Sequence, residues 1–118
     1  MSIHHLSGGK LDYWVARILA LNGVRLEPDG TCTYIDSSLS IGVRVPFFPS
    51  VDWTHGGPII DREGIGTWRY NDQWQAAYGD PVRALEISGP DGTGPTPLIA
   101  AMRAYVASKF GDEVPDNE

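Results

Sequence analysis

Between Pro97 and Ser108 the chain carries a single charged side chain, Arg103. Thr96 can cap a helix here, Pro97 suits its first turn, and Gly111 supplies a stop. Ile99, Met102, Val106 and Phe110 fall on a tight helical stripe, with Leu98 and Tyr105 beside it. The back of the same helix is Ala100, Ala104, Ala107 and Ser108. A helix this poor in charge has to be covered over much of its surface. Whatever else the chain does, it must supply that cover.

The other segments can be read in that light. A first helix is expected at about Gly9–Leu21, where Leu11, Trp14, Val15, Ile18 and Leu19 share a stripe. Ser7 can cap it, and Asn22-Gly23 can end it. Short strands near Val24–Glu27 and Thr31–Ile35 flank a Pro28-Asp29-Gly30 turn. Asp36-Ser37-Ser38 reads as a loop, and Ile41–Phe48 as an extended run that Pro46 confines to an edge or a strand end. Ile65–Tyr70 and Gln73–Tyr78 read as a hairpin around Asn71-Asp72. A three-residue loop there gathers Trp68, Tyr70, Trp74, Ala76 and Tyr78 on one face, and this is the preferred reading. A two-residue loop puts Trp74 opposite Trp68. Val82–Ser88 reads as a further strand and Gly89–Pro95 as a flexible loop. The expected class is α+β, with two helices packed on a small antiparallel sheet of short strands. Residues 1–111 are expected to form one compact domain that opens on a loose arm at residues 1–6. Residues 112–118 are expected to be an acidic, disordered tail.

Composition excludes several classes. Formal net charge is −6 and no basic stripe is present, so general nucleic-acid binding is not expected. The single cysteine, Cys32, allows neither an internal disulfide framework nor a cysteine-based zinc site, and reads as a small buried hydrophobe. The N-terminus lacks a secretory pattern, and no run approaches the roughly 20 apolar residues of a membrane span. The expected setting is the cytoplasm of a bacterial host, with no membrane role. Phosphate-loop, His-Glu-x-x-His and Gly-x-Ser-x-Gly patterns are all missing. No cofactor is expected.

The densest mix of special backbone residues, aromatic and charge lies at Ser50–Glu63, Ser-Val-Asp-Trp-Thr-His-Gly-Gly-Pro-Ile-Ile-Asp-Arg-Glu. Asp52 can cap a Trp53-Thr54-His55 turn. Gly57 can cap a second short helical turn that starts at Pro58, and glycines such as Gly56 leave room for close backbone approach. The corner is read either as structural or as a ligand-facing loop. In the second case the candidate binding residues are Asp52, Trp53, Gly56, Gly57 and Arg103, with Trp68 and Trp74 as aromatic walls. Arg103 is alternatively the partner of a carboxylate such as Asp52 or Asp61. Asp52, His55, Asp61 and Glu63 could serve a metal-assisted or hydrolytic reaction if they converge.

Three stretches together carry a resemblance. Pro49–Ile65 looks like the central motif of phage NinX-like proteins, Thr96–Gly111 like their C-terminal helix, and Leu11–Ala16 like their opening helix. The resemblance implies a small protein carried by phages and prophages in bacteria, and it implies no activity. Asp52, Trp53, Gly56, Gly57, Pro58 and Arg103 stand on matching positions. The functional expectation is a non-catalytic accessory protein that binds a small molecule or a host protein, as a monomer or as a homodimer through the alanine back of the second helix. The alternative is a small hydrolase or metal-assisted enzyme using Asp52, His55, Asp61 and Glu63.

Overall fold

The computed structural model describes residues 1–38, 41–79 and 89–115. After a single 3-10 turn at Ile3–His5 come α1 (Gly8–Ile18), β1 (Arg25–Leu26), β2 (Cys32–Asp36), β3 (Val43–Pro46), α2 (Trp53–Glu63), β4 (Ile65–Tyr70), β5 (Gln73–Tyr78), β6 (Gly92–Gly94) and α3 (Pro97–Phe110). The class is α+β, with two differences from expectation. Three α-helices are present among the described residues, and the strands form two three-stranded antiparallel sheets, β1-β2-β3 and β4-β5-β6.

The apolar helix α3 is the centre. The Thr96 side chain accepts the Ile99 N–H, and Gly111, at φ +79°, donates its N–H to the Ala107 carbonyl. Leu98, Ala100, Ala101, Met102, Ala104, Tyr105 and Val106 are all buried. One side of α3 lies on the β4-β5-β6 sheet, and α1 and α2 cover other sides. The stretch Gly89–Pro95 is therefore more than a loop, since Gly92–Gly94 pairs with β5. Its glycines explain why: a Cβ on Gly92 would collide with the Ala100 carbonyl and the Ala104 amide. A bare strand backbone covers Ala100 and Ala104 of the alanine face of α3, while Ala107 is half-buried and Ser108 exposed.

Helix α1 stops earlier than its stripe suggests, with Leu19 as its cap and Ala20 at φ +57°. Ser7 precedes it without a side-chain cap bond. Leu11, Trp14, Val15 and Ala16 are buried, and α1 links α3 to the first sheet. In that sheet the Pro28-Asp29-Gly30 turn closes with Gly30 N–H on the Glu27 carbonyl at 2.9 Å. β3 is an edge strand, and Pro46 sits at its end opposite Thr33.

The β4–β5 hairpin takes the two-residue turn. Asn71 and Asp72 both have positive φ, +50° and +66°, the combination that matches the strand twist. Tyr70 then faces Gln73, Trp68 faces Gln75 and Arg69 faces Trp74. Trp68 and Trp74 consequently lie on opposite faces, and the expected aromatic cluster does not form. Trp74 packs on the core, while the Trp68 Nε1–H donates to Gln75 Oε1 at 2.9 Å.

The chain ends meet. Ile3 and Leu6 are buried, so the first six residues are not a loose arm. Ile3 N–H donates to the Asp112 carbonyl and Val114 N–H to the Met1 carbonyl, each at 3.0 Å. Val114 is itself buried, which gives residues 112–115 a place in the fold rather than the disorder expected of an acidic tail. Residues 116–118 and the strand expected at Val82–Ser88 lie outside the described residues. Among the described residues, no helix is long and apolar enough to cross a membrane.

Candidate functional site

The corner between β3 and α2 starts with two phenylalanines. Phe47 is buried and hydrogen-bonds back to the first sheet, its N–H on the Cys32 carbonyl at 2.9 Å. The Phe48 carbonyl then accepts two amides, from Val51 at 3.1 Å and Asp52 at 3.0 Å. This bends the chain sharply over buried Pro49 and Ser50. Asp52 ends the corner by accepting the Thr54 N–H at 2.9 Å, and α2 begins at Trp53.

Helix α2 runs unbroken through Pro58, so Gly57 is no cap and Pro58 no first residue. A proline here forfeits one bond to the carbonyl four residues back. That carbonyl belongs to Thr54, and both residues are exposed, so water can replace the bond. Gly56 is required for space: a Cβ there would lie 2.5 Å from the Pro49 carbonyl oxygen and 2.7 Å from Leu98 Cδ2. A Cβ on Gly57 would meet nothing closer than 3.9 Å. The absence of a side chain at Gly56 lets α2 pack directly on the corner and on α3.

Three side chains hold three amides of this corner. Asp12 of α1 accepts Ser50 N–H through Oδ1 at 2.8 Å, His55 of α2 accepts Phe48 N–H through Nδ1 at 3.1 Å, and Asp52 accepts Thr54 N–H. The His55 ring also rests against both Phe47 and Phe48, with centroids 5.1 and 5.3 Å away. Asp12 is only 3% exposed. Burial raises its pKa to about 6, against the opposing pull of the Ser50 hydroxyl and amide. The Ser50 hydroxyl is near the carboxyl but, among the described residues, has no well-aligned partner. Burial, aided by Asp12, pushes the nearby Cys32 thiol up to about 12, so it stays protonated. The sequence did carry a signal for Asp12: it is a carboxylate inside an apolar stripe, between Leu11 and Val15.

The corner displays two large apolar side chains. Val51 is 68% exposed and Trp53 is 55% exposed. Beside them lies a recess of about 340 Å³ walled by Ser50, Val51, Trp53, Thr96, Pro97 and Leu98. Ser50 and Val51 also border a second recess, of about 220 Å³, which includes Asp12, Asp29 and Gly30.

The remaining candidate residues lie elsewhere. Arg103 donates Nε–H to the Leu6 carbonyl at 2.9 Å and Nη1–H to the Thr93 carbonyl at 2.8 Å. It pairs with neither Asp52 nor Asp61, because α3 aims it at the N-terminal turn and β6. Burial lowers its pKa from the ordinary value. It does not wall the recess beside Trp53, and Trp68 and Trp74 belong to the hairpin. Asp52 and His55 face backbone amides, Asp61 is exposed, and Glu63 pairs with Arg62 at 3.3 Å. Among the described residues, no group of three or more histidine, cysteine or acidic side chains is placed to hold a metal ion.

A family model described as Bacteriophage P22, NinX matches residues 2–109. The chain belongs to this phage family. The match takes in α1, the corner, α2 and nearly all of α3, so the elements that build and carry the Val51–Trp53 display all fall within the NinX region. No curated protein matches the chain.

Proposed function

We propose that this NinX-family domain acts by binding rather than by catalysis, and that it docks a bacterial host protein through the corner at Ser50–Trp53. The observation that carries the reading is the exposure of Val51 and Trp53 side by side on a backbone fixed from three directions. Exposed tryptophans beside apolar recesses are typical anchors of protein interfaces. A corner already fixed in place loses little conformational freedom when it binds. The setting that goes with this reading is the host cytoplasm.

A small-molecule site built from Trp53, the Gly56-Gly57 backbone and Arg103 has less support. Gly56 is packed under Pro49 and Leu98, and Arg103 is occupied by two carbonyls. The enzyme alternative has less again, since Asp52, His55 and Glu63 serve separate local contacts and Asp61 is exposed.

The test is Trp53→Ala. Because the ring is exposed, the variant is expected to keep its stability to within about 0.5 kcal/mol. Wild-type protein purified from host cells is expected to bring one protein with it in near-equal amount. The variant is expected to retain at least tenfold less, as for loss of an anchor worth about 2 kcal/mol. A variant that retains that protein equally well, or a wild type that emerges bare, overturns the reading.

A further inference from the structure

Asp12, Asp52 and His55 all hold backbone amides of the corner, and all three can take up a proton. They do not respond alike. A carboxyl keeps an acceptor oxygen when it is protonated, so Asp12 can still hold the Ser50 N–H and Asp52 the Thr54 N–H. An imidazole has one acceptor nitrogen in its neutral form and none when protonated. We propose that His55 is a positioning residue that fixes the corner through unprotonated Nδ1, and that its protonation loosens the surface presented by Val51 and Trp53.

The geometry makes the bond strategic. Phe48 N–H donates to His55 Nδ1, while the Phe48 carbonyl accepts both Val51 N–H and Asp52 N–H. Phe48 is therefore the point at which the corner is closed from both sides. With the proton on Nδ1, donor meets donor, and the Phe48 amide is left without its partner. The ring cannot simply swing aside at no cost, because it rests against Phe47 and Phe48. Histidine is the side chain that ordinarily changes charge between about pH 5 and 8. The neighbouring Phe47 and Phe48 rings carry no charge, so the titratable groups holding the same corner are Asp12 from α1 and Asp52 at the head of α2.

His55→Asn separates this role from simple packing. An asparagine places Oδ1 close to where Nδ1 stands, and that oxygen accepts at every pH in the range. The measurement is hydrogen-exchange protection of the Phe48 amide between pH 8 and pH 5, corrected for its intrinsic rate and for the change in stability that Asp12 brings over the same range. In the wild type the protection is expected to fall by roughly fivefold, the loss of about one hydrogen bond. In His55→Asn it is expected to stay level, while Asp12→Asn keeps the wild-type fall. Level protection in the wild type, or an equal fall in His55→Asn, overturns the proposal. Should the variant not fold, the imidazole nitrogen shifts of the wild type decide. A proton on Nε2 with bare Nδ1 at pH 8 agrees with the proposal, and a proton on Nδ1 contradicts it. Neither measurement requires the partner to be known.

Discussion

Asp12 anchors the corner at a cost. In the unfolded chain its carboxyl ionises near 3.8, and in the fold burial raises this to about 6. The folded state therefore binds the proton more tightly than the unfolded state. The stabilisation tied to neutral Asp12 is fully present below about pH 4 and is lost as pH rises through about 6. Each pKa unit corresponds to about 1.4 kcal/mol, so holding the ionised form at pH 7 costs on the order of 3 kcal/mol. Asp12→Asn keeps an oxygen for the Ser50 amide and removes the charge. Urea unfolding at a series of pH values is expected to find the variant more stable than wild type by a few kcal/mol at pH 7, with the gap closing toward pH 4. A gap independent of pH would contradict the burial argument. The identity of this residue was open to inspection in the sequence, as an acid within the stripe of α1, but its partner was not. Ser50 lies 38 positions away along the chain, and no local pattern links the two.

Elements were legible to the extent that their signals were local. Helix α3 announced itself through Thr96, Pro97, Gly111 and the apolar run between them, and all three boundary residues act as expected. Helix α2 was legible only in part, because Gly56-Gly57-Pro58 resembles a break. Asp52 sets the start instead, and exposure of Thr54 and Pro58 makes the missing bond tolerable. The β4–β5 hairpin depended on a difference of one residue in loop length. That was decided by two adjacent positive φ angles, at Asn71 and Asp72. Glycine adopts that conformation without steric penalty. Asp72→Gly is expected to stabilise the protein by about 0.5–1 kcal/mol despite added freedom in the unfolded chain. The exposed Arg69–Asp72 contact at 3.9 Å offers little to lose. Denaturant midpoints read this directly, and a destabilised variant would indicate a different turn.

At the scale of the molecule, the cover that α3 demands comes from every part of the chain. The second sheet lies on one side, α1 and α2 lie on others, and the N-terminal turn is tied to α3 through Arg103. Arg103, the one charge between Pro97 and Ser108, was visible in the sequence, but its use was not. It joins two backbone carbonyls, one of them 97 positions away. The division into two sheets and the meeting of the chain ends were hidden for the same reason, since both rest on contacts between distant segments. Among the large apolar side chains that this packing leaves exposed are Val51 and Trp53 of the corner. The most direct measurement is a photo-crosslinking amino acid placed at position 51 and activated in host cells. One discrete crosslinked host protein is expected, lost when Trp53→Ala is added to the same chain. No discrete product, or one that persists unchanged with Trp53→Ala, would contradict the claim that this corner is the contact surface.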